Sequence, residues 1–211
     1  MYSFARRPLW IVSHIIVVAI AVLFVNLGLW QLDRHDERVA RNAEVVERTE
    51  ESPVPVADLI ADVDAGTDPD ALRYRAVTLT GTYADTSVLV DNRSRDGLPG
   101  AWVVTPMTLD DGSTLAVSRG FLAPDDGAFV VPPAPSGAVM IAATVVEWDG
   151  DCGVRRDVDG SVEGMACLDQ DAVAEMVDGA LAPFAVQRVS STPSDAAGLT
   201  PIPRPELDAG P

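Results

Sequence analysis

Residues 9–32 run for 24 positions without a charged side chain, and residues 15–25 carry no polar side chain at all. A helix of about 20 apolar residues spans the ~30 Å hydrocarbon core of a bilayer. The pattern therefore predicts a transmembrane helix over 9–32, preceded by a cytoplasmic tail over 1–8. A cleaved signal peptide carries an apolar stretch of about 7–15 residues and ends at a small-x-small site. Here the run is longer, and its exit, Leu27-Gly28-Leu29-Trp30-Gln31-Leu32, offers no such site.

The hydrophobic phase then stops without a helix breaker. Arg34, Arg38, Arg41 and Arg48 fall at i, i+4, i+7 and i+14, one face of a continuing helix, with Asp33, Glu37, Glu44 and Glu47 on the adjacent face. Glu37–Arg41 and Glu44–Arg48 are i,i+4 pairs in the favourable order. A polar stalk is expected over 33–51, ended by Ser52-Pro53-Val54-Pro55. Its arginine stripe is either a solvated surface or a contact for lipid phosphates or an anionic cofactor. Residues 52–70, rich in Pro, Asp and Ala, read as a linker with room for a short helical turn.

Downstream the period changes to two. In "RYRAVTLTGTY" Val77, Leu79 and Tyr83 alternate with threonines, the pattern of a half-buried strand. "SVLVDNR", "AWVVTPMTL", "TLAVSRGFL", "AVMIAATVVEW" and "FAVQRVS" give five more strands, with "SRDGLPG" as a turn and "DDGS" as a hairpin signal. "DQDAVAEMV" is the one helix expected within the domain, ending at Gly179. Six short strands without βαβ alternation predict a mainly β fold over 71–200, a small antiparallel barrel-like domain with one helix.

Charge separates the two parts. Residues 1–48 carry six Arg against five acids; residues 49–211 carry nine Arg against 27 acids, a net of −18 that sums with +1 to the chain's −17. A domain this acidic is a poor partner for nucleic acid, whose phosphates need a cationic face. Arginines flank the apolar helix on both sides, so the positive-inside count is nearly tied. Cys152 and Cys167, the only cysteines, have 14 residues between them and no histidine in their domain to complete a metal set. A disulfide is the simplest reading, which favours an extracytoplasmic domain in the cell membrane.

The catalytic inventory is thin. Neither histidine nor lysine occurs after residue 48, and no G-x-S-x-G, H-E-x-x-H, P-loop or G-x-G-x-x-G is present, so an enzyme is not expected. What stands out is a set of arginines beside turns: Arg73, Arg75, Arg93, Arg95 and Arg119. They are either internal ion-pair partners or a recognition patch for carboxylates such as haem propionates. Arg73 and Arg75 sit two apart in a strand, so they share a face with Val77 and Leu79. In the membrane segment, His14 and Asn26 need partners; His14 is a weak haem candidate. Trp30 suits the interface, and Gly28 permits close helix packing.

Taken in order, "PLWIVSH", "LGLWQLDRHDER", "RYRAVTLTGTY", "LVDNRSRDGLPGAWVVTPM" and "LAVSRGFL" resemble the surfeit locus protein 1 family of cytochrome c oxidase assembly factors, in an actinobacterial-like version. The resemblance is strongest over residues 7–119. It implies a membrane protein whose central domain lies outside the cytoplasm and acts in maturation of subunit I of an aa3-type oxidase. It also implies help in haem a insertion or in stabilising the subunit, with haem a held transiently. Gly28, Trp30, Gln31 and Arg34 would pack at the membrane exit. Arg73, Arg75, Asn92, Arg93, Gly97, Pro99, Gly100 and Arg119 would shape the outer surface. The family pattern includes a second membrane helix opened by a Gly-Pro-His run, whose histidine is implicated in haem a binding. Gly210-Pro211 match the start of that run, so residues 201–211 are expected to lead toward that helix; the histidine and the helix are not in this sequence. Two other readings compete: a resident accessory subunit of an oxidase supercomplex that binds no cofactor, and an anchored hydrolase or redox enzyme, which the missing histidine disfavours.

Overall fold

The computed structural model describes residues 8–196 and 198–203. Of the tail expected over 1–8, residues 1–7 lie outside the described residues, as do 204–211 of the segment expected over 201–211. The chain divides into two compact units, with the boundary between Val46 and Glu47.

The first unit is helical. α1 runs unbroken over Pro8–Glu50, 43 residues, so the membrane segment and the polar stalk are one helix. Its apolar stretch is long enough to cross a bilayer and is exposed among the described residues. Three polar groups inside it turn back on their own helix: Asn26 donates to the Val22 carbonyl at 2.8 Å, Ser13 to that of Trp10 at 2.8 Å, and His14 Nδ1 to the same Trp10 carbonyl at 2.6 Å. Arg34 pairs with Glu37 at 3.7 Å. The side chains of Arg41 and Glu44, and so both expected i,i+4 pairs as written, fall outside what is described.

The second unit is built from nine strands: β1 (Val54–Pro55), β2 (Ala76–Tyr83), β3 (Val88–Arg95), β4 (Leu98–Leu109), β5 (Thr114–Leu122), β6 (Ala138–Val146), β7 (Val154–Arg156), β8 (Val162–Met165) and β9 (Ala185–Thr192). They form one sheet in the order β1-β2-β6-β9-β5-β4-β3-β8-β7. An additional β2–β4 pairing closes β2, β6, β9, β5 and β4 into a five-stranded barrel. The barrel-like domain expected from the alternation is present. It is not purely antiparallel: β1–β2, β3–β8 and β5–β9 are parallel.

The barrel interior holds one core, with Val77, Leu79, Met107, Leu115, Val117, Ile141 and Phe184 among its members. A second core lies outside the barrel wall, where Val88, Val90, Val104, Ala116 and Met165 meet α3 (Gln170–Ala174) through Ala172 and Val173. β5 separates the two cores. Leu115 and Val117 face one and Ala116 the other, so all nine of its residues are buried. That is why "TLAVSRGFL" shows no polar alternation.

Residues 52–70 are not a linker. β1 adds to β2, and α2 (Val56–Asp64) buries Val56 and Leu59 in the barrel core. The Pro-Asp-Ala composition hid a short amphipathic helix whose apolar face is Val56, Leu59, Ile60 and Val63. β7 and β8 were also not foreseen; at three and four residues they are too short for a period to show. If α2 belongs to the core, Leu59→Ala lowers unfolding stability of the full chain by about 2–5 kcal/mol. Thermal unfolding in detergent reads this directly; an unchanged midpoint would return the segment to linker status.

Candidate functional site

The arginines read from the sequence separate into an outer cleft and a buried lock. The cleft begins with a bulge. Val90 faces Trp102 across β3 and β4, but Arg93 faces Gly100, so β3 carries one extra residue between them. Asn92 absorbs it at φ 56°, a left-handed conformation that asparagine tolerates better than most residues. Side chains alternate faces along a strand, so the extra residue moves Arg93 onto the face of Trp102. Its guanidinium lies 4.3 Å from the Trp102 ring centroid and 3.5 Å from the Asp149 carboxylate. Asn92 thus serves the bulge through its backbone conformation. Asp96 and Gly97, both at positive φ, close the two-residue turn that returns the chain into β4, with Arg95 facing Leu98. Gly100 lacks a side chain because the Phe121 ring and the Leu122 carbonyl occupy the space a Cβ would need. Pro99 sits beside the turn, exposed and facing Ser94.

Arg73 and Arg75 do not share a strand face. β2 starts at Ala76, and Tyr74 at φ 69° breaks the extended chain between them. Arg73 pairs with Glu147 at 2.6 Å and stacks 4.8 Å from the Tyr74 ring; Arg75 pairs with Glu51. Arg73, Tyr74, Trp102, Ser118 and Asp149 line a cleft of about 160 Å³, and an adjoining cavity of about 210 Å³ shares Tyr74, Val146 and Gln187 with it. Asp149 is fixed from behind: its Oδ2 also accepts the Leu168 N–H at 2.9 Å. Leu168 follows Cys167, which is disulfide-bonded to Cys152. The Cys152 N–H donates at 2.9 Å to Asp169, whose carboxylate also caps α3 through the Ala172 N–H. The expected disulfide thus braces the carboxylate that positions Arg93.

Arg119 belongs elsewhere. It was expected on the outer surface, but its side chain is 0% exposed. Nε donates to Asp195 Oδ2 at 2.9 Å and Nη2 to Oδ1 at 2.5 Å. Nη1 and Nη2 also donate to the Pro132 and Pro133 carbonyls at 3.1 and 3.0 Å. Arg188 donates to the Arg119 carbonyl at 2.6 Å and lies 3.6 Å from Asp195. Burial alone would raise the Asp195 carboxyl; hydrogen bonds from Arg119 and the Ala196 N–H, with the charges of both arginines, outweigh it and hold the group below its ordinary range. Burial, then the neighbouring Asp195 charge, pushes the Tyr83 phenol up, so the ring beside this lock stays neutral.

On α1, Gly28, Trp30, Gln31 and Arg34 all lie on the helix itself. A Cβ at Gly28 would meet nothing within 4 Å, and Arg34 lies 5.9 Å from the Trp30 ring. His14 Nδ1 is 2.6 Å from the Trp10 carbonyl, a bond in which the ring must donate. Sequence reading missed Trp102, Glu147, Asp149 and Asp195. Trp102 could have been found from the Arg93–Trp102 spacing across the Asp-Gly turn had the bulge been known; Asp195 could not, since it is 76 residues from Arg119.

Removing one partner of a buried pair leaves an uncompensated charge, so Asp195→Asn should cost about 3–5 kcal/mol. Because folding lowers the Asp195 pKa, its contribution is complete above the unfolded value, near pH 4 for an aspartate. It is lost as pH falls through the still lower folded value. Acid titration of unfolding in wild type and Asp195→Asn should show this component only in wild type. Asn92→Val, which forces a β-branched residue to positive φ, should cost about 1–3 kcal/mol and displace Arg93 from Trp102.

The described residues thus gather an apolar anchor helix, a closed five-stranded barrel and an arginine–aromatic cleft on one chain. The SURF1 family profile matches residues 18–208. SURF1-like proteins of Mycobacterium tuberculosis and Mycobacterium bovis are 30% identical to it over 214 residues, covering 99% of this chain and 77% of theirs. A SURF1-like protein of Dictyostelium discoideum is 31% identical over 106 residues, 48% of this chain and 39% of its own. With a family match over nearly the whole length, the chain belongs to the SURF1 family.

Proposed function

We propose that this chain is a membrane-anchored assembly factor for an aa3-type cytochrome c oxidase. It holds subunit I while that subunit matures, with its β domain on the extracytoplasmic side of the cell membrane. The observation that carries the proposal is family membership over residues 18–208, which supports a role in oxidase assembly. The apolar part of α1 supports anchoring, and the Cys152–Cys167 disulfide supports an oxidising compartment.

Haem a is implied by the family resemblance, and the arginine cleft does not fit it as a resident group. The β domain has no histidine, and its arginine cleft, about 160 Å³, falls below the ~300–1,000 Å³ of ordinary ligand pockets. His14 offers one imidazole on the helix. What the residues can do is present a rigid face: guanidinium groups stacked on Tyr74 and Trp102, each tethered by a carboxylate, ready to exchange that tether for a partner's acceptor.

The test is a deletion strain complemented by wild type, Trp102→Ala and the pair Arg73→Met/Arg93→Met. Deletion should lower assembled oxidase and its haem a absorbance, and wild type should restore both. The cleft variants should restore membrane-bound protein but at most a small part of the oxidase, and should lose copurification of subunit I. Normal oxidase in the deletion strain would overturn the proposal. Stoichiometric retention of the chain in active, purified oxidase would replace it with a resident accessory subunit.

A further inference from the structure

The two edges of β2 are unequally covered. On one, β6 pairs with every residue from Ala76 to Thr82. On the other, β1 pairs only with Val77 and Thr78, and β4 takes over from Gly81 to Tyr83. Among the described residues, no strand faces Leu79 or Thr80 across that second edge. The N–H and C=O of a strand residue leave by the same edge and alternate along the chain, so one of these two residues presents both groups to the gap. The gap is written into the sequence. Pro55 has no N–H with which to continue the β1 ladder, and α2 starts at the next residue. On the far side β4 ends at Leu109, where the Asp110–Ser113 turn begins.

Over this opening lies a groove of about 430 Å³, larger than the arginine cleft and at the other end of β6 from it. Pro55 and Ala57 form one wall, Leu109 and Asp110 the other, and Met140 lies alongside, 62% exposed. The lining is mostly apolar, and a methionine thioether adapts to varied side chains. Asp111 is engaged by the Ser113 N–H and hydroxyl at 2.9 and 2.6 Å. No bond among the described residues takes up the Asp110 carboxylate.

We propose that this seam is a β-augmentation site for a protein partner. An extended segment of that partner pairs its main chain with the open edge at Leu79–Thr80, sets apolar side chains into the groove, and brings a lysine or arginine to Asp110. The unpaired backbone selects the occupant: a lipid tail or an apolar helix face would fill the volume and leave the N–H and C=O unbonded, at a cost a strand avoids. The free carboxylate sets the charge of the segment. This site is independent of the arginine cleft and of the identity assigned to its partner.

The experiment uses the full chain in nanodiscs and hydrogen exchange resolved at residues 78–80. In the free chain, the seam amide should exchange about 100-fold faster than its neighbours bonded to β6. The probe is the peptide Lys-Val-Thr-Val-Thr-Val at millimolar concentration; it should slow that amide at least about tenfold. A control with prolines replacing both threonines, unable to donate at those positions, should do nothing. Ala57→Trp, which plugs the groove from the exposed side of α2, should abolish the slowing while leaving the unfolding midpoint unchanged. Asp110→Asn should weaken it and remove its salt dependence. A seam amide already protected in the free chain, no slowing by the peptide, or equal slowing by the proline control would each overturn the proposal. Protection that appears without peptide as protein concentration rises would assign the edge to a second copy of this chain instead.

Discussion

The buried pair of Arg119 and Asp195 holds the domain's loose ends to its barrel. Arg119 sits at the centre of β5, the strand shared by both cores, and carries its charge where no water reaches. A guanidinium in that position needs nearly all of its donors satisfied. It satisfies them on the Pro132 and Pro133 carbonyls of the β5–β6 connection and on Asp195 beyond β9. Two irregular segments are thereby fixed to one strand. Arg188 then donates to the Arg119 backbone, so the lock also reports on the β9 register. Replacing the pair with apolar residues could match its stability; what the charges add is that only one arrangement of those segments satisfies them.

How far the sequence discloses this follows from the range of each interaction. α1 is legible residue by residue because its signal is composition sustained over tens of positions. β2, β4, β5, β6 and β9 are legible because burial on one or both faces writes itself into the side-chain order. α2 is hidden by brevity, and β7 and β8 by being shorter than a period. The parallel pairings are hidden because nothing in β3 announces that its edge will receive β8. At the site, Asp96-Gly97 declares its turn, while the bulge at Asn92 does not, and without it Arg93 would be placed on the wrong face. Arg119 is the clearest failure. Arginine on a surface and arginine in a lock have the same letter, and the discriminating partner lies 76 residues away.

The cleft depends on this same economy of placement. Trp102 would be an exposed aromatic without Arg93 above it, and Arg93 would have no fixed direction without Asp149. Asp149 owes its position to the Leu168 N–H, and the segment carrying Leu168 is tied to Cys152 by the disulfide. A brace on one side of the domain thus sets the aim of a cation on another strand, through contacts each within ordinary hydrogen-bond or stacking range.

Charge finally decides what such a domain can meet. Arg73, Arg75, Arg93, Arg95, Arg119, Arg155, Arg156 and Arg188 each have an acidic partner within the domain. The cations among the described residues of the domain are therefore spent internally, and acids are left in surplus among the 27 after residue 48. Such a surface repels anionic headgroups and nucleic acid at any separation below the Debye length of about 8 Å at physiological salt. It attracts basic protein segments, for which Asp110 beside an open strand edge is one place to land. The arginine cleft can still engage an acceptor, but only by exchange: Glu147 or Asp149 must release its guanidinium as the partner takes it. A face that binds by exchanging one carboxylate for another gains little net charge energy from each contact. It can hold a client firmly enough to orient it and weakly enough to let it go, which is what an assembly factor requires.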